Sequence, residues 1–418
     1  MTNPLQRRRF LSLAGGTAGA LALGACQWHE QVAESVSSST TTPTSTSTSI
    51  VSDASVTPRP LLVVVNLGGG NDAINTVVPM SGRYHDLRPA IGIDDGDLLP
   101  VGDGHGMHPS LSPLLPYWDS GRLAIAQGVG IAGQSRSHFA ATDTLFAGQA
   151  GYISTGWLGR WLDDHPQAGA DPLLAVALGG GRSAVAGETA SATIITRPEQ
   201  FLLRTAPGMN ATALSEVLLA TAAPGTESTS SALDLVRAGV PKAMHAIDIL
   251  EQIGSNESNV SLEPTSATTL LSVAAQIVQL NLSTEVVLVD LGGFDTHANQ
   301  TATHASLLAD VATGIANLLA SIQESTSRDA LVITTSEFGR RAEDNGSGTD
   351  HGAAGGSLLL GSSVRGGTIV GSLGLDRLVD GDLPIEVDTR SIYANAIDHL
   401  NGDASGVLGG EYDRLSLR

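Results

Sequence analysis

Acidic and histidine side chains are concentrated in three short strings near the C-terminus: residues 292–297 (GGFDTH), 336–340 (SEFGR) and 349–352 (TDHG). The first two follow apolar runs, residues 286–289 and 331–333, that predict buried strands. Open α/β sheets place their ligand and metal sites at the carboxyl ends of parallel strands. The strings therefore predict a site for hard-ligand chemistry at one edge of a sheet.

The residue types in these strings suit a divalent cation such as Zn²⁺, Mn²⁺ or Ca²⁺. Asp295 with His297 would supply a carboxylate and an imidazole, and Asp350 with His351 repeats that pair. Glu337 follows a predicted strand directly. Each string also has a simpler interpretation: a helix cap at the first, a surface acid paired with arginine at the second, and a glycine-rich turn at the third.

An upstream string places a serine between a cation and a histidine. Arg136, Ser137 and His138 are therefore candidate catalytic residues, with Ser137 as the nucleophile and Arg136 as the stabiliser of an anionic ester. A loop that precedes a helix explains the same residues. The stretch lacks the Gly-x-Ser-x-Gly elbow, which argues against a serine esterase.

Apolar runs and helical periodicity predict the elements that must position these residues. Residues 61–65 form a continuous apolar run typical of a strand buried on both faces, and Asp72 follows in a glycine-rich turn. Strands alternating with an amphipathic helix favour an α/β fold with parallel pairing, to which residues 357–360 would add a strand. Residues 197–282 contain apolar residues at helical spacing and predict a helical insertion.

The composition excludes several classes of function. The chain has 22 basic and 42 acidic residues, for a net charge of −20, so nucleic-acid binding is not expected. Lys242 is the only lysine and follows a proline, so no phosphate-binding loop of the Gly-Lys-Ser/Thr type is present.

The N-terminus carries targeting signals. Residues 7–9 are three arginines before an apolar segment, which fits a twin-arginine signal peptide over residues 1–25. Cys26, the only cysteine, ends a small-residue box typical of lipidation, although an exported protein with a chance cysteine there is the alternative. Residues 26–59 are rich in Ser and Thr and predict a tether to a membrane. One domain, residues 60–418, would then be periplasmic or on the cell surface.

Taken in order, these strings resemble an exported bacterial family known as domain of unknown function 1501, placed with the alkaline phosphatase and sulfatase superfamily. The matching segments are residues 67–79, 106–130, 135–148, 156–163, 292–299 and 335–361. The resemblance implies a three-layer α/β/α sandwich with a mostly parallel sheet, an alkaline phosphatase-like fold.

The resemblance also implies roles for individual residues. Enzymes of that superfamily clamp a phosphate or sulfate ester between two metals and attack it with a nucleophile. By position, Ser137 resembles the nucleophile and Glu337 falls at the second metal, where Phe338 replaces an expected histidine. The residues that resemble the remaining metal ligands are Asp72, Asp295, His297 and His351.

Two functions follow as expectations. The leading one is a metal-dependent hydrolase acting on a small-molecule or glycan ester of sulfate or phosphate. The alternative is a non-catalytic surface module that binds its partner with a degenerate enzyme fold. Convergence of Asp295, His297 and His351 around one point discriminates between them.

Overall fold

The structure, a computed structural model, describes residues 59–149, 153–190, 192–196, 210–222, 231–256, 266–326 and 328–416. The predicted signal peptide, Cys26 and the predicted tether up to residue 58 lie outside the described residues.

The described residues form a nine-stranded central sheet and a small antiparallel sheet. The central strands are β1 (Leu61–Leu67), β5 (Leu123–Gly130), β6 (Ala175–Leu178), β7 (Thr193–Ile195), β8 (Val286–Leu291), β9 (Ala330–Thr335), β10 (Gly355–Gly361), β11 (Thr368–Gly371) and β12 (Val387–Asp388). The small sheet contains β2 (Val77–Pro79), β3 (Leu99–Gly102) and β4 (His105–Met107).

The central sheet is mostly parallel, as predicted. Its order is β11-β5-β10-β9-β1-β8-β6-β7, and β12 pairs with β5. Strand β10 is the exception, because it pairs antiparallel with both β5 and β9. The strand predicted at residues 357–360 is present, and its direction is a finding of the structure. No helix lies between β9 and β10 to carry the chain back across the sheet, so β10 returns alongside β9.

Helices cover both faces of this sheet. They are α1 (Ala73–Thr76), α2 (Gly82–Leu87), α3 (Leu115–Asp119), α4 (His138–Ala147), α5 (Trp157–Asp164), α6 (Ala211–Ala222), α7 (Ser231–Asn256), α8 (Ala267–Leu280), α9 (Gln300–Ser325), α10 (Thr389–His399) and α11 (Ala404–Leu408). Two 3-10 turns cover Asp95–Asp97 and Pro109–Leu114.

Strand β1 shows the three layers most clearly. Successive side chains of a strand point to opposite faces. Val63 and Val65 pack into one cluster with residues of α8 and α9, whereas Leu62 and Val64 pack into another with residues of α5 and α10. All four of these side chains are buried, which accounts for the continuous apolar run. The α/β/α sandwich expected from the sequence is thus confirmed.

The predicted helical insertion includes α6, α7 and α8, and the remainder between them lies outside the described residues. In α8, Leu270 and Ile277 are buried in the same cluster as Leu308 and Ile315 of α9. Helix α8 is therefore part of a helical layer of the sandwich. Helix α9 is long and apolar enough to cross a membrane by length and composition, but here its apolar residues pack in the core.

Candidate metal centre

The direction of β10 gathers the polar strings at one edge. Strands β8 and β9 end at Leu291 and Thr335, so the loops that follow them start at the carboxyl edge of the sheet. Because β10 runs the opposite way, it begins at the same edge, and the whole connection 336–354 stays there. Within it, Arg340 forms an isolated β-bridge with His351. This bridge returns His351 to the loop that carries Glu337.

Gly69, in the turn after β1, packs directly against the loop after β8. Its φ is +120°, and a Cβ there would lie 2.3 Å from the backbone nitrogen of Asp295. Glycine is therefore required at this position, both for its backbone conformation and for the close approach. The Gly69 amide donates to Oε1 of Glu337 at 2.8 Å. One residue thus joins the three loops of the site.

The side chain of Arg340 connects the same loops through hydrogen bonds. Its side chain is buried and its guanidinium donates to the carbonyls of Gly69, Gly70, Phe294 and Thr349. Nη2 also donates to Oδ1 of Asp295 at 2.7 Å. From the sequence, Arg340 or Arg341 is expected only as a surface partner of Glu337. The position of Arg340 three residues after that acid was the available signal, and the backbone contacts could not be read from it.

Three imidazoles surround the carboxylate of Asp295. Oδ1 lies 3.0 Å from Nε2 of His351 and 3.0 Å from Nε2 of His297, while Oδ2 lies 3.3 Å from Nε2 of His138. The two Nε2 atoms of His297 and His351 are 3.0 Å apart. Ligand atoms of His138, Asp295 and His351 all lie within 4.8 Å of one another. The predicted residues Asp295, His297 and His351 do meet, and His138 joins them.

Each of these rings has an acceptor on its other nitrogen. Nδ1 of His351 lies 2.9 Å from the carbonyl oxygen of Arg136, and Nδ1 of His138 lies 2.8 Å from Oε1 of Glu337. Nδ1 of His297 is 3.4 Å from Oδ1 of Asp350. A carbonyl oxygen and a carboxylate can only accept, so the contact with Glu337 places the ring proton of neutral His138 on Nδ1. In His351 both nitrogens face acceptors, because Nε2 lies 3.0 Å from Oδ1 of Asp295.

The tautomer of His138 leaves lone pairs facing one another. Neutral His138 directs an unprotonated Nε2 atom towards Asp295, and this atom is buried without a hydrogen-bond partner among the described residues. His351 either donates from Nε2 to Asp295 or, with its proton on Nδ1, directs a second lone pair there. A cation in the midst of the group would satisfy them. For tetrahedral Zn²⁺ with bonds of about 2.1 Å, neighbouring ligand atoms lie roughly 3.4 Å apart, close to the separations here. The donor set therefore fits a divalent cation, with carboxylate- or carbonyl-bonded histidines typical of metal sites.

The charge on Asp295 is already stabilised by the protein. Burial opposes ionisation, but hydrogen bonds from His351 and Arg340, with the charge of Arg340, outweigh it and lower the pKa of Asp295 to about 2. The carboxylate nevertheless remains 45% exposed. It is thus an ionised ligand group that solvent and small molecules can reach.

Glu337 and Phe338 occupy supporting positions. Glu337 is buried, and its carboxylate contacts the backbone of Gly69 and Nδ1 of His138. It therefore orients a histidine of the group, in a place where the sequence analysis expected a second metal. The ring of Phe338 is buried and packs against His138 and His351, with centroids 4.9 and 4.6 Å apart. Asp350 is exposed and contacts the group only through His297.

Ser137 and Arg136 lie beside the group. Ser137 is the exposed residue before α4 and its side chain makes no capping hydrogen bond. Arg136 is ion-paired through Nη2 with the buried carboxylate of Asp382. The charge of Arg136, predicted to face an anionic ester, is therefore already balanced by an acid.

Asp72 is held in a buried network of its own. Both of its oxygens accept from Arg88, at 2.6 and 3.1 Å, and Oδ1 also caps α1. Gln300 donates to Oδ2 at 2.5 Å. Burial raises the pKa of Asp72, but the charge and hydrogen bonds of Arg88 dominate and keep the pKa below its usual value. Asp72, expected as a metal ligand, instead ties the turn after β1 to Arg88.

The sequence matches one protein family. Residues 123–402 fit the family described as "Protein of unknown function (DUF1501)". The chain belongs to the DUF1501 family. The resemblance inferred from the motifs is thereby confirmed. A comparison of this DUF1501 chain with curated proteins finds no match.

Several solved structures share features with this DUF1501 chain. A Vibrio parahaemolyticus protein in the alkaline phosphatase superfamily has 8% identity and a TM-score of 0.38, covering 85% of this chain and 69% of that one. Alkaline phosphatase from the Antarctic bacterium TAB5 has 9% identity and a TM-score of 0.36, covering 83% and 99%. Phosphonate monoester hydrolase from Silicibacter pomeroyi has 8% identity and a TM-score of 0.38, covering 85% and 78%. At such low values, the fold class rests on the sheet topology described above.

Proposed function

We propose that this protein is a metal-dependent hydrolase of a phosphate or sulfate ester, with the cation held by His138, Asp295 and His351. The observation that carries the proposal is the convergence of two Nε2 atoms on one ionised carboxylate, each ring being fixed from behind by an acceptor. His297 adds a third ring nitrogen at the exposed side of the group. An accessible site of this kind suits exchange of a ligand for substrate.

The donor set favours some cations over others. Two or three imidazole nitrogens and one carboxylate suit Zn²⁺ or Mn²⁺. Ca²⁺ prefers six to eight oxygen ligands, and Asp295 with the exposed Asp350 provides few of them. We therefore propose Zn²⁺ or Mn²⁺ as the resident cation.

The surrounding residues would prepare the site for ester hydrolysis. When bound, a divalent cation supplies Lewis-acid polarisation of the ester. Glu337 keeps the proton of His138 on Nδ1, and Arg340 keeps the carboxylate of Asp295 in place. The hydroxyl of Ser137 makes no capping hydrogen bond and lies at the start of α4, where the helix N-terminus favours developing negative charge. It is our proposed nucleophile.

We also propose that the protein is exported by the twin-arginine route and anchored to a membrane through Cys26. The support is the arginine triplet, the apolar segment after it and the lone cysteine in a small-residue box. The substrate would then be a small-molecule or glycan ester outside the cytoplasm. Mass analysis of the purified membrane form for a lipid on Cys26 tests this part independently of the chemistry.

Metal analysis beside a panel of aryl phosphate and aryl sulfate esters tests the proposed activity. We expect bound Zn²⁺ or Mn²⁺ and measurable hydrolysis in the wild type. His351→Ala should lose both, with turnover falling on the order of 100-fold or more, whereas Ser137→Ala should keep the metal and lose turnover. The matched control, His85→Ala, removes an exposed histidine outside the group and should change neither.

Other results of the metal and activity measurements would support different conclusions. Full hydrolysis by Ser137→Ala would remove the serine from the scheme while leaving the metal in it. Metal binding without hydrolysis of any ester would favour the non-catalytic binding module. Absence of metal from wild-type protein refolded or expressed with added Zn²⁺ and Mn²⁺ would overturn the proposal.

A further inference from the structure

A cavity lies at the opposite edge of the central sheet. It is bounded by the first residue of β9, Ala330, and the last residue of β10, Gly361, and has a volume of about 300 Å³. Because β10 is antiparallel to β9, these two ends lie at the edge away from the Asp295 group. The volume falls in the range of small-molecule sites, roughly 300–1,000 Å³.

The charge of the cavity is opposite to that of the protein. The chain has a net charge of −20, but the described residues lining the cavity include Arg122 and Arg328 and no acid. Two acids close to Arg328 are engaged: Asp329, the next residue, accepts from Ser362, and Glu285, whose charge acts on Arg328, is ion-paired with Arg59. Arg122 and Arg328 therefore line this space, and acids compensate their charge only in part.

Arg328 is a buried cation with an unused donor. Its Nε and Nη2 donate to the carbonyls of Arg59, Pro60 and Thr284 at 2.6–2.9 Å. Among the described residues Nη1 has no hydrogen-bond partner; it is buried, and the residue is only 6% exposed. Burial, partly offset by Glu285, lowers the pKa of Arg328 to about 10, so it stays charged at neutral pH. A buried guanidinium nitrogen without a partner calls for an anion or a polar ligand.

Arg122 and the apolar wall complete the cavity. The guanidinium carbon of Arg122 lies 5.0 Å from the centroid of the Tyr117 ring, and Nε donates to Ser120 at 3.0 Å. These contacts hold the side chain in one place, and no described acid forms an ion pair with it. Leu319 and Ile322 of α9 line the cavity as well. The site thus presents two cations beside an aromatic and aliphatic wall.

We infer that this cavity binds a phosphate monoester head group attached to a short apolar body. Two guanidinium groups match the double negative charge of a phosphate monoester, and Arg is well suited to phosphate oxygens. The apolar wall favours a carbon chain over inorganic phosphate. Such a head group occurs both in soluble esters and in membrane lipids, two sources that the experiment distinguishes.

Calorimetric titration with n-hexyl phosphate tests the inference, using chelator-treated protein so that the Asp295 group holds no metal. We expect saturable binding, tighter than that of inorganic phosphate. Arg122→Gln should weaken it about 10-fold or more, the loss of a charge-assisted contact. Arg83→Gln, which removes an exposed cation outside the cavity, should leave it unchanged.

A second arm identifies the source of the phosphate. Sedimentation is measured with phosphatidylcholine vesicles, with and without phosphatidic acid, for wild type, Arg122→Gln and Arg83→Gln. Arg122-dependent binding to phosphatidic acid vesicles assigns a lipid head group, and Arg122-dependent binding of n-hexyl phosphate alone assigns a soluble ester. Failure of both, or binding that Arg122→Gln leaves intact, would overturn the site. Arg328→Lys, which keeps a cation in the wall, should bind more weakly than wild type but remain folded by circular dichroism.

Discussion

Two aspartates in corresponding loops have different environments. Asp72 follows β1 and Asp295 follows β8; three glycines and one further residue precede Asp72, and two glycines and one further residue precede Asp295. Asp72 is completely buried, and both of its oxygens accept from Arg88. Asp295 is 45% exposed; Arg340 reaches only Oδ1, and imidazoles surround the rest.

The two environments indicate a structural role for Asp72 and a role as metal ligand for Asp295. The guanidinium of Arg88 saturates Asp72, so no further cation is needed there. At Asp295, the lone pair of His138, and that of His351 when its proton is on Nδ1, add electron-rich atoms that the single contact from Arg340 does not balance. We therefore expect that removal of the Arg88 side chain destabilises the region around Asp72. Binding of a divalent metal ion should instead satisfy the ligand atoms around Asp295.

The largest effect is expected from Arg88→Met, which leaves Asp72 charged and unpaired in the core. Removing one partner of a buried ion pair costs roughly 3–5 kcal/mol, so the free energy of unfolding should fall by that amount in denaturant titration. Arg83→Met, an exposed change nearby, should shift it by no more than about 0.5 kcal/mol. Near-equal values for the two variants would mean that Asp72 does not depend on Arg88.

The double variant Asp72→Leu/Arg88→Met sharpens this result. Apolar replacement of a whole buried pair is often nearly neutral, so the double variant should recover much of the stability lost in Arg88→Met.

The buried region should also respond to acid through His304. Burial lowers the pKa of His304 to about 4, against 6.5 for the unfolded chain, with Asp72 offsetting only part of the shift. Between these values the unfolded state binds the extra proton, so stability is lost as the pH falls from 6.5 to about 4. The loss should approach about 3 kcal/mol.

Comparison of wild type with His304→Gln isolates this contribution. Gln keeps a polar side chain near Asn71, which now contacts Nε2 of His304 at 2.9 Å, but does not titrate. The difference in unfolding free energy between the two proteins should change across this pH window. Parallel stability curves would assign the acid sensitivity to other groups.

A smaller effect is expected at the metal centre from Glu337→Gln. The carboxylate of Glu337 fixes the Nδ1 proton of His138, and loss of such a partner typically weakens metal affinity 10–100-fold. Titration of chelator-treated protein with Zn²⁺ measures the change. Glu343→Gln removes an exposed charge from the same loop and serves as the control. Equal affinities in the two variants would show that Glu337 does not act through His138.

The sequence predicted the sheet because buried parallel strands leave a local signature, the continuous apolar run seen at β1. It did not predict the direction of β10, which depends on the absence of a crossover helix. The pairing of His138 with Glu337 joins residues 199 positions apart, so spacing carried no information about it. Arg88 was missed for the same reason, since its partner Asp72 is identified only by the folded turn. Asp295 and His297 were accessible to sequence reasoning because they follow strand β8, and His351 because it lies in a polar string between two apolar runs.

Anomalous diffraction from crystals grown with Zn²⁺, recorded on both sides of the zinc absorption edge, tests the central claim most directly. If the proposed metal centre is correct, we expect a peak roughly 2.0–2.2 Å from Nε2 of His138, Nε2 of His351 and a carboxylate oxygen of Asp295. The peak should disappear in Asp295→Asn. A wild-type crystal with no zinc among these side chains, or with zinc bound only elsewhere, would contradict the account.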